Sequence, residues 1–481
     1  MRVGHLTGLL VVLCAGCMVG PDYKRPPVPM TTSYKELDGW KVAQPSDAAP
    51  RGPWWEIFSD PELNALEEQV IAANQDLMVA EARFREARAR VSFYRAALFP
   101  SISAGVGIAS VNVSNNKPYV PRNPNASGDV IASLDLSYEI DLWGRIRRTV
   151  GSARAGAEAS DADLGAVQLS LQAELAFDYF ELRSADAQQQ LLDETVKAYT
   201  DALRLTVHRY KGGASPKLDV AEAETQLETT RVQATDVAVQ RAQLEHAIAV
   251  LIGVPPATFG LPRRPLTGRP PDVPVGVPSE LLERRPDVAA AERRVAAANE
   301  EIGIAKAAFF PTVLLNGSVG VEGTGASNWM KWGSLLWAVG PSVTQTLFDA
   351  GRRRAVSDAA LARYDGAVAQ YRQATLSAFQ EVENSLVALR ILEREAQQQA
   401  RAVAAAQTAL ELSTNRYRGG LVTYLQVVTA QTAALANERN DVDIRRRRMN
   451  ASVLLVKALG GSWRGDLSSA SAGGASSRGE R

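Results

Sequence analysis

The chain contains one long segment twice, and this internal repeat restricts the folds that are open to it. Residues 208–213 (HRYKGG) recur as residues 415–420 (NRYRGG), 207 positions later. Further upstream, residues 96–100 (AALFP) recur as residues 307–311 (AAFFP) with an offset of 211. The two offsets differ by four residues, so one short length difference separates the copies. A repeat of this length exceeds the units of solenoid proteins. The sequence therefore predicts two similar halves related by pseudo-symmetry.

The N-terminus has the features of an export signal that ends in a lipid attachment site. Residues 1–16 are predicted to be a lipoprotein signal peptide, because the apolar stretch 6–13 is too short to span a bilayer as a helix. Small residues precede Cys17, which is the predicted acceptor of a covalent lipid. Met18 follows, and the absence of an acid there favours the outer membrane. The alternative is an ordinary signal peptide with an incidental cysteine.

Composition and motifs give no support for nucleic-acid binding or catalysis. Lys and Arg together number 53, as do Asp and Glu, so no net field attracts nucleic acid. Of the three histidines, His5 lies in the signal peptide, and His208 and His246 are far apart in helical patterns. We find no phosphate loop, metal-ligand spacing or nucleophile elbow. We therefore expect a protein that is not an enzyme, with no metal and no cofactor other than the lipid on Cys17.

Prolines, glycines and clusters of polar residues divide the chain into segments. Each half is predicted to contain a helix, two strands, a long helix and a second helix. The predicted order is a signal peptide, then an extended lipidated leader (17–60), the first half (61–253), a Pro-rich connector (254–278), the second half (279–462) and a disordered tail (463–481).

Long helices are predicted in both halves. Residues 145–212 contain no proline, and an unbroken helix of that length would extend roughly 100 Å. A helix this long must pack laterally against others. The remaining predicted helices cover residues 61–98, 217–252, 288–310, 352–418 and 421–459.

Two strands are predicted in each half, and the clearest is residues 130–142. Apolar and polar residues alternate along it, which suits a barrel strand with one face in lipid and one in water. Its polar face carries Asp135, Glu139 and Asp141, which would make a barrel lumen acidic and cation-preferring. The other predicted strands are residues 102–108, 313–321 and 335–348. The alternative is the edge of a soluble β-sandwich, although four strands do not close such a domain.

The number of strands bears on the assembly. Four strands leave unpaired edges, which a membrane does not tolerate. Three copies would supply about twelve strands, within the range of membrane barrels. The sequence therefore predicts a mixed α and β fold: a homotrimeric outer-membrane β-barrel, with four strands per chain, continuous with a long periplasmic α-helical barrel.

Several segments resemble the TolC-like outer membrane factor family, and in particular its NodT-type lipoprotein branch. They are residues 17–26 (CMVGPDYKRP), 138–145 (YEIDLWGR), 347–352 (LFDAGR) and the two Arg-Tyr-x-Gly-Gly turns. The resemblance implies a homotrimer anchored in outer-membrane lipid, with a tunnel that extends into the periplasm. It also implies passive export, driven by an inner-membrane efflux pump of the RND type through a periplasmic adaptor.

The resemblance also implies a gate at the periplasmic end, in the helices that follow the glycine turns. Leu425 matches the closing leucine of the family, but the positions of the family's acidic ring hold Gln426 and Thr429. The repeat equivalents of these two positions are acidic, Asp219 and Glu222. We expect a narrowing formed by Leu425, Leu218, Asp219 and Glu222. Alternatively, the two acids stabilise a helix N-terminus.

The residues before the turns also allow two interpretations. Side chains before the turns are expected to bridge neighbouring helices and hold the end shut. They are Arg209, Tyr210, Arg416 and Tyr417. The alternative for the arginines is a helix C-terminal cation favoured by the helix dipole. The exposed turns are the expected adaptor contacts, with the glycines Gly212, Gly213, Gly419 and Gly420.

Two other functions are compatible with long helices. The main alternative is a periplasmic adaptor or scaffold built from a helical hairpin, which would lack the alternating strands. A second is an envelope enzyme that carries helical arms. Extraction with the outer membrane distinguishes the channel from the adaptor, and loss of export without a catalytic defect distinguishes it from the enzyme.

Overall fold

The computed structural model describes eight stretches of the chain. They are residues 18–28, 33–36, 53–111, 127–271, 273, 285–324, 329 and 331–461. The predicted signal peptide, Cys17 and the tail therefore lie outside the described residues. The chain divides into two compact units. The sheet unit takes residues 1–27, 83–161 and 290–371, and the helical unit takes residues 28–82, 162–289 and 372–481.

The order of elements follows the predicted pattern in each half, except that two helices precede the strands of the first half. The helices are α1 (Pro61–Ala73), α2 (Gln75–Ala96), α3 (Arg145–Lys211), α4 (Lys217–Leu251), α5 (Pro286–Ala307), α6 (Arg352–Arg418) and α7 (Tyr424–Ala458). The strands are β1 (Ser101–Val111), β2 (Ser127–Glu139), β3 (Thr312–Gly323) and β4 (Leu335–Thr344). Short 3-10 helices cover Trp54–Phe58, Pro256–Thr258 and Trp332–Ser334. None of the helices in these stretches is both long and apolar enough to cross a membrane.

The prediction of one helix over residues 61–98 is wrong, because Asn74 divides it. The Asn74 backbone is extended, with ψ of 127°. Its side-chain oxygen accepts a hydrogen bond from the Leu77 amide at 3.0 Å and so caps α2. Its side-chain nitrogen donates to the Leu251 carbonyl at the end of α4, at 2.8 Å. One buried amide thus ends one helix, begins the next and fixes both to a third.

The four strands form one antiparallel sheet in the order β1-β2-β3-β4. The two halves of the chain meet at its centre, where β2 pairs with β3. Strands β1 and β4 are the edges, and within the described chain each has a neighbour on one side only. The register brings Ser101, Glu139, Thr312 and Thr344 to the same end of the sheet, where the chain enters or leaves the helices.

Two predicted strand ends extend too far. Strand β2 ends at Glu139, and Asp141 instead accepts hydrogen bonds from the Ile146 and Arg147 amides at the start of α3. Strand β4 ends at Thr344, well before residue 348. Its partner β3 begins at Thr312, directly after Pro311, so Thr344 is the last residue with a cross-strand partner. Proline cannot donate to a strand ladder, which is why the pairing stops there.

The two faces of the sheet differ as predicted. One cross-strand row consists of Ser103, Asp135, Ser318 and Ala338, and neighbouring rows on that face are rich in serine and glycine. The opposite face carries exposed apolar side chains. They include Ile102, Val106, Ile108, Leu134, Val319, Trp337, Val339 and Val343. An exposed apolar sheet face of this extent marks a surface that is covered by lipid or by another molecule.

Candidate functional site

The two glycine turns at one end of the helical unit have the same backbone geometry. Gly213 and Gly420 have φ of +72° and +73°, in the left-handed region that favours glycine. In the first turn the Ala214 amide donates to the Arg209 carbonyl, and in the second the Leu421 amide donates to the Arg416 carbonyl. This pattern terminates a helix and satisfies its last carbonyls. The turn glycines Gly212, Gly213, Gly419 and Gly420 are all exposed.

A buried tyrosine links the two halves at this end. The Tyr417 side chain on α6 is only 3% exposed, and its hydroxyl donates to Oδ2 of Asp219 on α4 at 3.2 Å. Its ring packs edge-on against Tyr424, with ring centroids 5.2 Å apart. Burial raises the pKa of the Tyr417 phenol, which therefore keeps its proton for this bond.

This contact corrects the expected place of Asp219. Its side chain is buried, whereas Leu218 beside it is exposed, so the two do not line one surface. The Asp219 carboxylate therefore does not border a passage formed with Leu218, because Tyr417 already occupies it within the protomer. Asp219 also lies in the first turn of α4, where a negative charge stabilises the helix N-terminus.

Arg209 connects the ends of α3 and α6. Its guanidinium lies over the Tyr417 ring, 4.8 Å from the centroid. Its Nη1 donates to the Arg418 carbonyl at 3.0 Å. The positive guanidinium thus stabilises the C-terminus of α6 and lies on the face of the Tyr417 ring. Arg209 and Tyr417 therefore each contact a second helix within the protomer, and that these contacts hold the end shut stays a prediction.

The repeat equivalents of Tyr417 and Arg209 are placed differently. Tyr210, the repeat equivalent of Tyr417, is 44% exposed. Arg416, the equivalent of Arg209, is also exposed. The pseudo-symmetry is therefore broken at the tip: Arg209 of the first half and Tyr417 of the second are packed inside the protomer, whereas Tyr210 and Arg416 are exposed. That Tyr210 and Arg416 bridge to a neighbour stays a prediction.

The remaining predicted gate residues lie on the surface of the protomer. Leu218 and Leu425 occupy equivalent positions near the starts of α4 and α7, and both are exposed. Gln426 and Thr429 are exposed as well, and Glu222 is half-buried. Two exposed leucines at matching places in each half are available to meet other copies, so the predicted narrowing stays a prediction.

The polar face of the sheet contains two of the three predicted lumen acids, Asp135 and Glu139, and that they line a lumen stays a prediction. Asp135 is exposed and accepts hydrogen bonds from Ser133 at 2.8 Å and Ser318 at 2.7 Å. Glu139, the last residue of β2, binds the Arg145 guanidinium through two bonds of 2.9 and 2.6 Å. The expectation for Asp141 is wrong, because it lies beyond the strand and caps α3.

The leader makes contacts that sequence reasoning missed. Within the sheet unit, the Val19 amide donates to the Trp143 carbonyl at 3.1 Å, directly beyond the end of β2. Met18 packs so closely against Gly144 that a Cβ on residue 144 would lie 2.7 Å from the Met18 Cγ. Further on, Arg25 Nε donates to the Tyr371 hydroxyl at 3.0 Å. The repeat did not reveal this docking, because Gly144 and its equivalent Gly351 both have positive φ, yet a Cβ added at Gly351 would meet open space.

Comparison with known proteins identifies the family. Residues 66–254 and 277–461 match the family described as outer membrane efflux protein. The pyoverdine export outer membrane protein OpmQ of Pseudomonas aeruginosa is 32% identical over 94% of this chain and 97% of its own length. The outer membrane protein OprJ of the same species is 32% identical over 95% of this chain and 96% of its own length. The alignment with the solved structure of the outer-membrane channel OprN covers 92% of this chain and 99% of the OprN chain. The TM-score is 0.86 and the sequence identity is 32%.

The match spans both halves, including the strands that the helical-hairpin adaptor would lack, so that alternative is wrong. The chain belongs to the outer membrane efflux protein family, a family of transport proteins rather than enzymes, and is the outer-membrane channel component of a tripartite efflux system that extends into the periplasm.

Proposed function

We propose that three copies of this chain form one export channel, with the sheets closed into a membrane barrel and the long helices forming a tunnel. The observation that carries this proposal is the four-stranded sheet with two open edges and one exposed apolar face. A membrane provides no hydrogen-bond partner for a strand edge, so β1 of one copy must pair with β4 of the next. Three sheets give about twelve strands.

The assembly is tested by cross-linking in outer-membrane fractions. Cysteine pairs are placed in turn along the two edges, from Ile102 to Ile108 on β1 and from Leu335 to Val343 on β4. The pairs that come opposite each other should give a closed trimer and no larger ladder. A monomer that is stable in detergent and conducts in planar bilayers would contradict the proposal. In a deletion strain, loss of drug export that is restored by the intact chain tests the transport role separately.

We also propose that the exposed glycine turns contact a periplasmic adaptor and that the inner-membrane pump is of the RND type. Relatives with equal 32% identity are named for different cargoes, pyoverdine for OpmQ and toluene for TtgC. This spread supports a passive channel that accepts whatever the pump delivers. Replacing the turn glycines should reduce adaptor co-purification while trimers persist.

We propose that the gate closes where Leu218 and Leu425 of three copies meet, and that the Arg209–Tyr417–Asp219 contacts hold it in place. Supporting this, the two leucines are exposed while the bridging residues behind them are packed. Replacing Leu425 by Ala should raise conductance and antibiotic entry. Unchanged values of both would contradict the gate.

We propose that Cys17 carries a covalent lipid. The described leader begins at Met18, whose neighbour Val19 is bonded to the chain just beyond β2, at the end of the sheet. A lipid on the preceding residue would lie at this end, close to the bilayer. Mass spectrometry of the mature N-terminus should show the lipid in the natural chain and its loss in Cys17→Ser, and an unmodified Cys17 would contradict the proposal.

A further inference from the structure

Exposed apolar and basic side chains collect where the sheet meets the helices. We call this set the junction belt: Phe93, Arg95, Phe99, Leu347, Phe348, Arg352 and Arg354. Its members come from the last turn of α2, the approach to β1, the segment after β4 and the first turn of α6, all within the sheet unit. The strand register brings these segments to one end of the sheet. Leu347 and Phe348 are 90% and 86% exposed.

The arginines of the belt differ from their neighbours in having no acidic partner. Arg145 is bound to Glu139, and Arg353 is bound to Asp349 at 2.6 Å. Arg95, Arg352 and Arg354 are exposed and form no ion pair with any carboxylate in the described ranges. Asp349 also accepts hydrogen bonds from the Gly351 and Arg353 amides, so its carboxylate is held at the start of α6. The belt therefore presents uncompensated positive charge.

The position of the belt relative to the apolar sheet face indicates what meets that charge. The exposed apolar rows of the sheet end at Ile102 on β1 and Val343 on β4. The belt lies a few residues before Ile102 and a few residues after Val343. Aromatic side chains at the border of an apolar surface suit the headgroup level of a bilayer. Long basic side chains there place their charge among lipid phosphates while their stems stay on apolar surface.

We propose that the junction belt binds anionic phospholipid headgroups of the membrane leaflet on the helical side of the sheet. Arg95, Arg352 and Arg354 contact the phosphates, and the belt's phenylalanines lie between the acyl chains and the headgroups. The inference rests on the proposed insertion of the sheet in the membrane. Another copy of the chain is the competing occupant, but the positive charge and its place at the border of the apolar face favour lipid.

The test uses the full-length channel, reconstituted in nanodiscs that contain phosphatidylglycerol and phosphatidylcholine. Native mass spectrometry measures the ratio of the two lipids that remain bound. In R352Q/R354Q the preference for phosphatidylglycerol should fall about fivefold for each arginine removed, and less at high salt. Each single variant should lower the preference for phosphatidylglycerol about fivefold. The single variants provide the test if the double variant does not fold.

The matched control is Arg401→Gln, which removes an exposed charge much further along the same helix and should leave the lipid ratio unchanged. A channel that conducts normally but retains both lipids equally with and without Arg352 and Arg354 would overturn the inference and leave the proposed function standing. Loss of trimers in R352Q/R354Q with an unchanged lipid ratio would also overturn it, in favour of a contact between copies. Absence of the natural chain from the outer membrane would instead defeat the proposed function.

Discussion

At the scale of single residues, Glu67 is an acid placed among core side chains. It lies on α1 with Leu63, Leu66 and Val70, is fully buried, and neither carboxylate oxygen has a hydrogen-bond partner in the described chain. Burial raises its pKa to about 9, and no charged group contributes to that shift. The side chain is therefore neutral at pH 7, because an unpaired buried charge would be costly.

The raised pKa predicts a pH dependence of stability. Glu67 has a higher pKa folded than unfolded, so stability is greatest below the unfolded value and falls as the pH rises towards about 9. The slope attributable to Glu67 should approach about 1.4 kcal/mol per pH unit. Glu67→Gln should flatten the melting temperature between pH 6 and 9 by removing this contribution. Exposed Glu68→Gln is the control, and equal profiles for the two variants would contradict the prediction.

Tyr417 provides a test of the helix bridge. Tyr417→Phe removes the hydroxyl and leaves the buried Asp219 carboxylate without this partner, at a cost of about 1–3 kcal/mol. We expect larger or more frequent openings in planar bilayers and greater uptake of bulky antibiotics. Tyr210→Phe, at the exposed repeat equivalent, is the matched control and should change little. If both variants behave like the natural chain, the bridge does not hold the gate.

Asp135 provides a test of the lumen. In a trimer its charge would occur three times at one level, and in the described chain hydroxyls rather than cations hold it. The channel should prefer cations, and Asp135→Asn should move the reversal potential in a salt gradient towards zero. Glu139→Gln should have a smaller effect, since Arg145 already offsets that charge. Anion preference in the natural chain would refute this.

At the scale of elements, the glycine turns show which position carries the strain. Gly420→Ala places a side chain at φ of +73° and should cost about 1 kcal/mol of turn stability. Gly419→Ala should be nearly neutral, because Gly419 is not in the left-handed region and a Cβ there meets only ordinary contacts. Hydrogen exchange of the Leu421 amide measures the difference. Equal protection in both variants would contradict the assignment.

The elements also show where local sequence is sufficient. The starts and ends of α3 and α6 agree with the predictions, because glycine turns and the absence of proline act locally. The division at Asn74 was missed, because the capping amide is fixed by a partner on α4. The strand ends were missed because Asp141 caps a helix and because Pro311 limits the neighbouring strand.

At the scale of the whole molecule, duplication gives two similar halves that are not used identically. Each half supplies two strands and the same helical turn, but only the second supplies the buried tyrosine, and only the first supplies the acid that it binds. The equivalents of these two residues, Tyr210 and Gln426, are exposed. A homotrimer of such chains would have alternating positions around its axis, so neighbouring turns would offer a partner two different surfaces.

The sequence by itself determined the repeat, the number of strands, their two-faced character and the lengths of the main helices, since periodicity, glycine and proline act over a few residues. Tertiary structure decided which member of an equivalent pair is buried. Tyr417 and Tyr210 stand in almost the same local sequence, and Asp219 follows an exposed leucine. Burial depends on which distant elements pack against a side chain, and neither periodicity nor local composition records that.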